Sequence, residues 1–143
     1  MGVKMRKPLT ALLSIAFLSF AGAPAMAQTI KDLPKGVVKY SGVVPGMGEH
    51  WGDPKKGSKG PIYGVMNGKI VFYEFEVLSR NLVGKKGWEM KYGYPKYLPK
   101  PDHIDIEYLP KGHRGMTMPH FAVHMYTVPH AVHLKYKPKP RKK

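Results

Sequence analysis

Cysteine is absent from the 143 residues. That gap excludes disulfide staples, thiolate nucleophiles, cysteine-based metal sites and any lipid anchor attached through a cysteine. Acid is scarce as well: nine Asp and Glu stand against 24 Lys and Arg, a formal charge of +15. A surface of that sign draws anionic partners, such as phospholipid headgroups, lipopolysaccharide or acidic polymers. The common catalytic signatures are missing too. There is no G-x-S-x-G elbow, and "GVVPGMG" lacks the Lys-Ser/Thr that completes a phosphate loop. Glu74, Glu76, Asp105 and Glu107 could supply a carboxylate pair for glycoside chemistry, but nothing in the sequence selects one. With no recognisable catalytic motif, a binding role is expected and enzymatic activity is left open.

The N-terminus reads as a secretory signal peptide over residues 1–27. Lys4, Arg6 and Lys7 form a basic start, Leu9 to Phe20 an apolar run, and Ala25-Met26-Ala27 a small-residue cleavage site. The apolar run is shorter than the roughly 20 residues of a membrane span, and no such span follows it. Cleavage after Ala27 makes the protein periplasmic or extracellular. It also leaves 21 basic residues against nine acids, a formal +12. The excess concentrates in "KYKPKPRKK", residues 135–143, where Lys135, Lys137, Lys139, Arg141, Lys142 and Lys143 flank two prolines. This composition predicts an extended, disordered tail able to bind anions. For an exported chain, an anionic envelope surface or polymer is a more reachable partner than nucleic acid.

Between those ends, residues 28–134, short apolar runs alternate with Pro and Gly, and no stretch sustains a helical period. The fold expected is mainly β, a small single-domain barrel or sandwich, with a cupin-like barrel as one form. Strands are expected at residues 36–44, 62–65, 69–78, 103–109, 121–128 and 131–136. "GEHWG" falls in a Gly-rich turn on this reading. Asn67-Gly68 is a preferred two-residue hairpin pair, because both positions tolerate positive φ. On the strand after it, alternation puts Val71, Tyr73, Phe75 and Val77 on one face. Ile70, Phe72, Glu74, Glu76 and Leu78 go to the other. A strand apolar on both faces belongs inside a fold. A carboxylate buried there without a cation or donors costs several kcal/mol, so Glu74 is either partnered or wet.

Four of the seven histidines lie in "PHFAVHMYTVPHAVH", residues 119–133. His120 and His124 have the spacing of a zinc-binding helix pair, but Phe121 occupies the position of the catalytic Glu, and the segment favours a strand. On a straight strand the two stand about 13 Å apart, too far to share an ion; a bend after Pro119 is needed to unite them. His113, His130 and His133, at turns or among basic residues, are expected on the surface.

Three blocks, "GMGEHW", "YGVMNGKIVFYE" and "MPHFAVHMY", resemble an uncharacterised family of small exported bacterial β-proteins. That family shares a His-Trp turn, a YG…GK…F.E hairpin and a P.HF..H.Y segment. The resemblance implies that His50, Glu74, His120 and His124 are its matched polar positions. Ala122 stands where the family tends to carry an acid, which puts an acidic ligand or base there in doubt. Physically, three imidazoles and a carboxylate suit one divalent first-row metal: Zn, Mn, Fe, Ni or Cu. Two alternatives remain open. One is a periplasmic copper site using His113, Met116, Met118 and His120, thioethers and imidazoles being Cu(I) ligands. The other is a basic module for anionic surfaces with no metal at all.

Overall fold

The computed structural model describes residues 28–57, 60–84, 87, 89 and 91–140. The expected signal peptide and Arg141 to Lys143 lie outside them. The domain is mainly β. Six strands, β1 (Val38–Lys39), β2 (Glu49–Gly52), β3 (Ile62–Met66), β4 (Lys69–Leu78), β5 (His103–Leu109) and β6 (His120–Tyr126), form one sheet. Their order is β1-β2-β3-β4-β6-β5, antiparallel throughout. Two single-turn helices accompany them, α1 (Ser79–Leu82) and α2 (His130–His133).

The sheet is open, where a barrel or sandwich was expected. β4 is apolar on both faces because irregular chain, instead of a second sheet, covers each of them. On one face Tyr63, Ile70, Tyr73 and Leu98 form the core, with Leu33, Val37, Trp51, Phe75, Tyr94 and Met125 against them. The segment over this aromatic face is tied down by its phenols. Tyr73 Oη donates to the Gly93 carbonyl at 3.2 Å and Tyr97 Oη to Tyr63 Oη at 3.1 Å. Phe75 stacks on Tyr92 at 4.2 Å. The other face carries Val71, Phe72 and Tyr126, with Met47, Met66, Val128 and Tyr136 around them.

Local chemistry explains the turns. Asn67 (φ 51°) and Gly68 (φ 77°) both take positive φ, so the β3–β4 hairpin forms where the Asn-Gly pair predicts. A register shift at Gly64/Val65 pairs Val65 with Ile70 and Gly64 with Phe72, leaving Val71 as the extra residue of a bulge. Ile70 therefore joins Tyr73 on the aromatic face, and Val71 joins Phe72 on the other. Strict alternation had placed both on the opposite sides.

Two other segments differ from expectation. Only Val38 and Lys39 of residues 36–44 pair as a strand, and β2 forms within the Gly-rich stretch read as a turn. The expected strand at 131–136 is instead the helical turn α2. Val132 and His133 both donate their N–H to the Pro129 carbonyl, at 2.8 and 3.3 Å. His133 and Tyr136, three apart on this turn, face inward together, and the Tyr136 carbonyl accepts from Gly46 N–H at 3.0 Å. Beyond it Lys137 and Lys139 are exposed, as is Lys135 before it.

Gly64 lies in register between His50 and Phe72. A Cβ there would come within 2.0 Å of Phe72 Cδ1 and Cε1, so the ring lies directly on the glycine. Gly64→Ala is expected to destabilise the fold by about 1–3 kcal/mol, the usual cost of overpacking, or more if the ring cannot turn. Thermal unfolding of the variant against wild type measures it.

Candidate metal centres

The histidine positions follow from the register of β6. All seven of its residues pair in unbroken register with β4 on one side and β5 on the other. The strand is straight, so His120 and His124, four residues apart, point to the same face with about 13 Å between them. They do not converge. Across the sheet, Glu74 pairs with His124, Glu76 with Ala122 and Leu78 with His120. Glu74 and Glu76 are therefore each brought to a different histidine, and both are buried, at 3% and 6% exposure.

Three groups of ligand-type side chains result, and together they contain every histidine of the chain. In each group one donor atom from every member lies within 4.8 Å of the others. The first is His50, Glu74 and His124. His50 Nε2 lies 3.7 Å from Glu74 Oε2, and His124 Nε2 lies 3.4 Å from Glu74 Oε1. His50 reaches across β3 because Gly64, its registered neighbour, has no side chain. Phe72 fills the space, in edge contact with His50 and His124 at 5.3 Å from each. Trp51, next to His50 on β2, packs on the opposite, aromatic face.

The second group is Glu76, His113 and His120. His120 Nε2 stands 3.7 Å from Glu76 Oε1, while His113 Nε2 stands 2.8 Å from the same oxygen. A tight turn delivers His113: its N–H donates to the Met116 carbonyl at 2.8 Å, and Met116 N–H returns the bond at 3.0 Å. Gly112 (φ 65°) permits this, since a Cβ there would come within 2.2 Å of the Met116 carbonyl oxygen. Met116 is buried and the Met118 side chain is 42% exposed. Met118 meets His120 through its carbonyl oxygen. The third group, His103, Asp105, His130 and His133, occupies the β5 margin of the same face.

Hydrogen bonding makes these groups unusual. An imidazole that carries one proton donates from one nitrogen and presents a lone pair at the other. His120 donates from Nδ1 to the Met118 carbonyl at 2.7 Å, and His113 from Nδ1 to the Arg114 carbonyl at 2.9 Å. Ser41 Oγ donates to the Gly42 carbonyl, so it accepts from His50 Nδ1 at 3.3 Å. In His50 and His120 the proton is thereby spent outward and the Nε2 lone pair points at a carboxylate, whereas His113 Nε2 shares a proton with Glu76 Oε1 across 2.8 Å. Such an outer partner fixes the tautomer of a metal-ligating histidine. Among the described residues the buried side-chain N and O atoms without a hydrogen-bond partner are Glu74 Oε2, His120 Nε2 and His124 Nε2. All three lie in the first two groups. Their separations of 3.4 to 3.7 Å are too long for hydrogen bonds. Donors bound about 2.1 Å from one tetrahedral ion stand roughly 3.4 Å apart.

The electrostatics differ between the two groups. Burial pushes the Glu74 carboxyl up, but the His124 contact and the nearby His50 and His113 outweigh it and hold it below its ordinary value. Burial lowers His50, against the pull of Glu74. Glu76 is raised by burial and by the charge of Glu74. Burial lowers His113, but the Arg114 carbonyl and Glu76 outweigh it and raise the ring. The first group thus favours a bare lone pair beside a carboxylate, and the second holds a proton between Glu76 and His113.

Of the residues named from sequence, His50, Glu74 and His124 come together and His120 joins Glu76 and His113 instead. His133 is buried, at 3% exposure, where a surface position was expected; His130 and His113 are exposed but each joins a group. His103 was not singled out from sequence. Its signal was the period of "HIDIEYL", which sets His103, Asp105 and Glu107 on one face.

The His50 shift has a consequence for stability. Its folded value lies below the ordinary 6.5, so unfolding takes up a proton as pH falls through that value. In metal-free protein, wild type should lose stability relative to His50→Gln as pH falls from about 7.5 to about 5. Thermal melts of both proteins in chelator across that range test the sign. Comparisons of the chain with family models, curated proteins and solved structures find no match, so the reading of this face rests on its own geometry.

Proposed function

We propose that the protein binds divalent first-row metal ions at two buried centres, His50/Glu74/His124 and Glu76/His113/His120, as an exported metal-binding protein. The observation that carries this reading is the set of three buried polar atoms without hydrogen bonds, all facing into these two groups. Lone pairs aimed at carboxylates repel unless a cation lies between them. Burial lowers His50, which disfavours a proton as that cation at the first centre. One metal ion at each centre satisfies all three atoms: Glu74 Oε2 and His124 Nε2 at the first, His120 Nε2 at the second.

The donor set is two imidazoles and one carboxylate at each centre, which suits Zn, Mn, Fe, Ni or Cu(II) over calcium or magnesium. Three protein ligands leave a position for water or another small ligand in a tetrahedral ion. Ligands must be deprotonated to bind, so loading the second centre should release the proton held by Glu76 and His113.

Metal analysis of the full chain after loading with zinc and desalting tests the reading. Glu74→Gln and His113→Ala should each lose about one equivalent of the bound metal. Each should weaken its centre by more than the roughly ten- to hundred-fold that a lost outer-shell partner costs. Both variants retaining wild-type metal content would overturn the proposal. His113 is partly exposed, so its substitution should spare the fold.

A further inference from the structure

The β5 margin of the histidine face carries a separate constellation. Its four donor atoms are His103 Nε2, His130 Nδ1, His133 Nε2 and Asp105 Oδ2. His133 Nε2 lies 3.2 Å from His103 Nε2 and 3.0 Å from His130 Nδ1. Asp105 Oδ2 lies 3.9 Å from His103 Nε2, 3.9 Å from His130 Nδ1 and 4.0 Å from His133 Nε2. A tetrahedron with edges of about 3.5 Å has its centre about 2.1 Å from every corner, which is the zinc–nitrogen and zinc–oxygen bond length.

Proton placement agrees with that geometry. A carbonyl oxygen can only accept, so the 2.6 Å contact between His133 Nδ1 and the Gly46 carbonyl makes Nδ1 the protonated nitrogen of His133. Likewise His103 Nδ1 faces Asp102 Oδ1 at 3.0 Å, and a carboxylate there accepts its proton. Both Nε2 atoms then present lone pairs to each other across 3.2 Å. His130 Nδ1 approaches the same His133 lone pair, which can accept one proton at most. Three ring nitrogens and a carboxylate oxygen converge with no more than one proton among them.

Packing fixes the arrangement. His133 stacks on Tyr126 at 3.8 Å, and His103 stacks on Tyr126 at 5.0 Å from its other neighbour β5. Tyr126 and His103 are registered partners, as are His124 and Asp105. His133 is buried, while the His130 and Asp105 side chains are 59% and 40% exposed, so an ion can enter from solvent.

We propose that His103, Asp105, His130 and His133 form a third metal site, a four-ligand tetrahedral centre of the zinc type. It differs from the two buried centres in supplying all four ligands from the protein, the pattern of closed, structural sites. It would join α2 to β5, two elements outside the central hairpin.

The test is a Co2+ titration of the metal-stripped full chain, read by the visible absorption of tetrahedral cobalt. His130→Ala and Asp105→Asn alter exposed side chains. Each should remove about one equivalent of bound cobalt and weaken this site more than ten- to hundred-fold. Glu74→Gln and His113→Ala should leave that site's band in place, so failure here and failure of the two buried centres are distinguishable. A second measurement needs no variant: zinc should move the 15N signals of His103 Nε2, His133 Nε2 and His130 Nδ1 to coordinated positions. Wild-type cobalt binding by His130→Ala, or free-ring His130 and His133 signals at saturating zinc, would overturn the site.

Discussion

The double pairing of β6 is the constraint on which the histidine face depends. Its residues are held between β4 and β5 in unbroken register. Side chains alternate with a period of two, so a slip of one residue would turn His120, His124 and Tyr126 onto the aromatic face and bring Phe121, Val123 and Met125 in. Thr127 N–H donates to the Val71 carbonyl at 2.9 Å, and Asp102 N–H to the Tyr126 carbonyl at 2.7 Å. These bonds extend the ladder past the strand ends. At the other end Pro119 receives both the N–H and the hydroxyl of Ser79 at 3.0 Å.

Given that register, the chemistry follows from a simple count of protons. The rings of His50, His103, His113, His120 and His133 each donate from Nδ1 to an oxygen outside their own group of ligand atoms. What remains inside is a set of acceptors, with one proton shared between His113 and Glu76. Although the chain has 24 Lys and Arg, among the described residues no lysine or arginine forms an ion pair with Glu74 or Glu76. The ionic partners described for both acids are imidazoles. Titratable rings leave room for an exchangeable cation in a way that a permanent guanidinium partner would not.

Much of the frame was legible in the sequence. Asn67-Gly68 marked the hairpin, and the runs 69–78, 103–109 and 121–128 gave three strands, the last with its ends shifted. The bulge at Val71 was not legible, because a row of apolar residues has no polar member to expose a change of side. β2 was missed because it is four residues long between glycines. α2 was missed because one turn after Pro129 is too short to show a helical period, although Ala131, Leu134 and Lys135 favour helix. The site was half legible. The single quartet of His50, Glu74, His120 and His124 failed as a unit because the strand carries no bend. His113, His103 and His130 are delivered by contacts between residues far apart in sequence, which local patterns do not record.

The straightness of β6 has one more consequence. It holds His120 and His124 four residues of rise apart, about 13 Å, so the two rings serve different centres. Their carboxylates are closer: Glu74 and Glu76 stand two residues apart on β4, about 7 Å, and the charge of Glu74 raises Glu76. Buried charges are screened far less than exposed ones. A cation held at one centre is therefore felt by the carboxylate of the other, and the two are neighbours in charge without sharing a ligand.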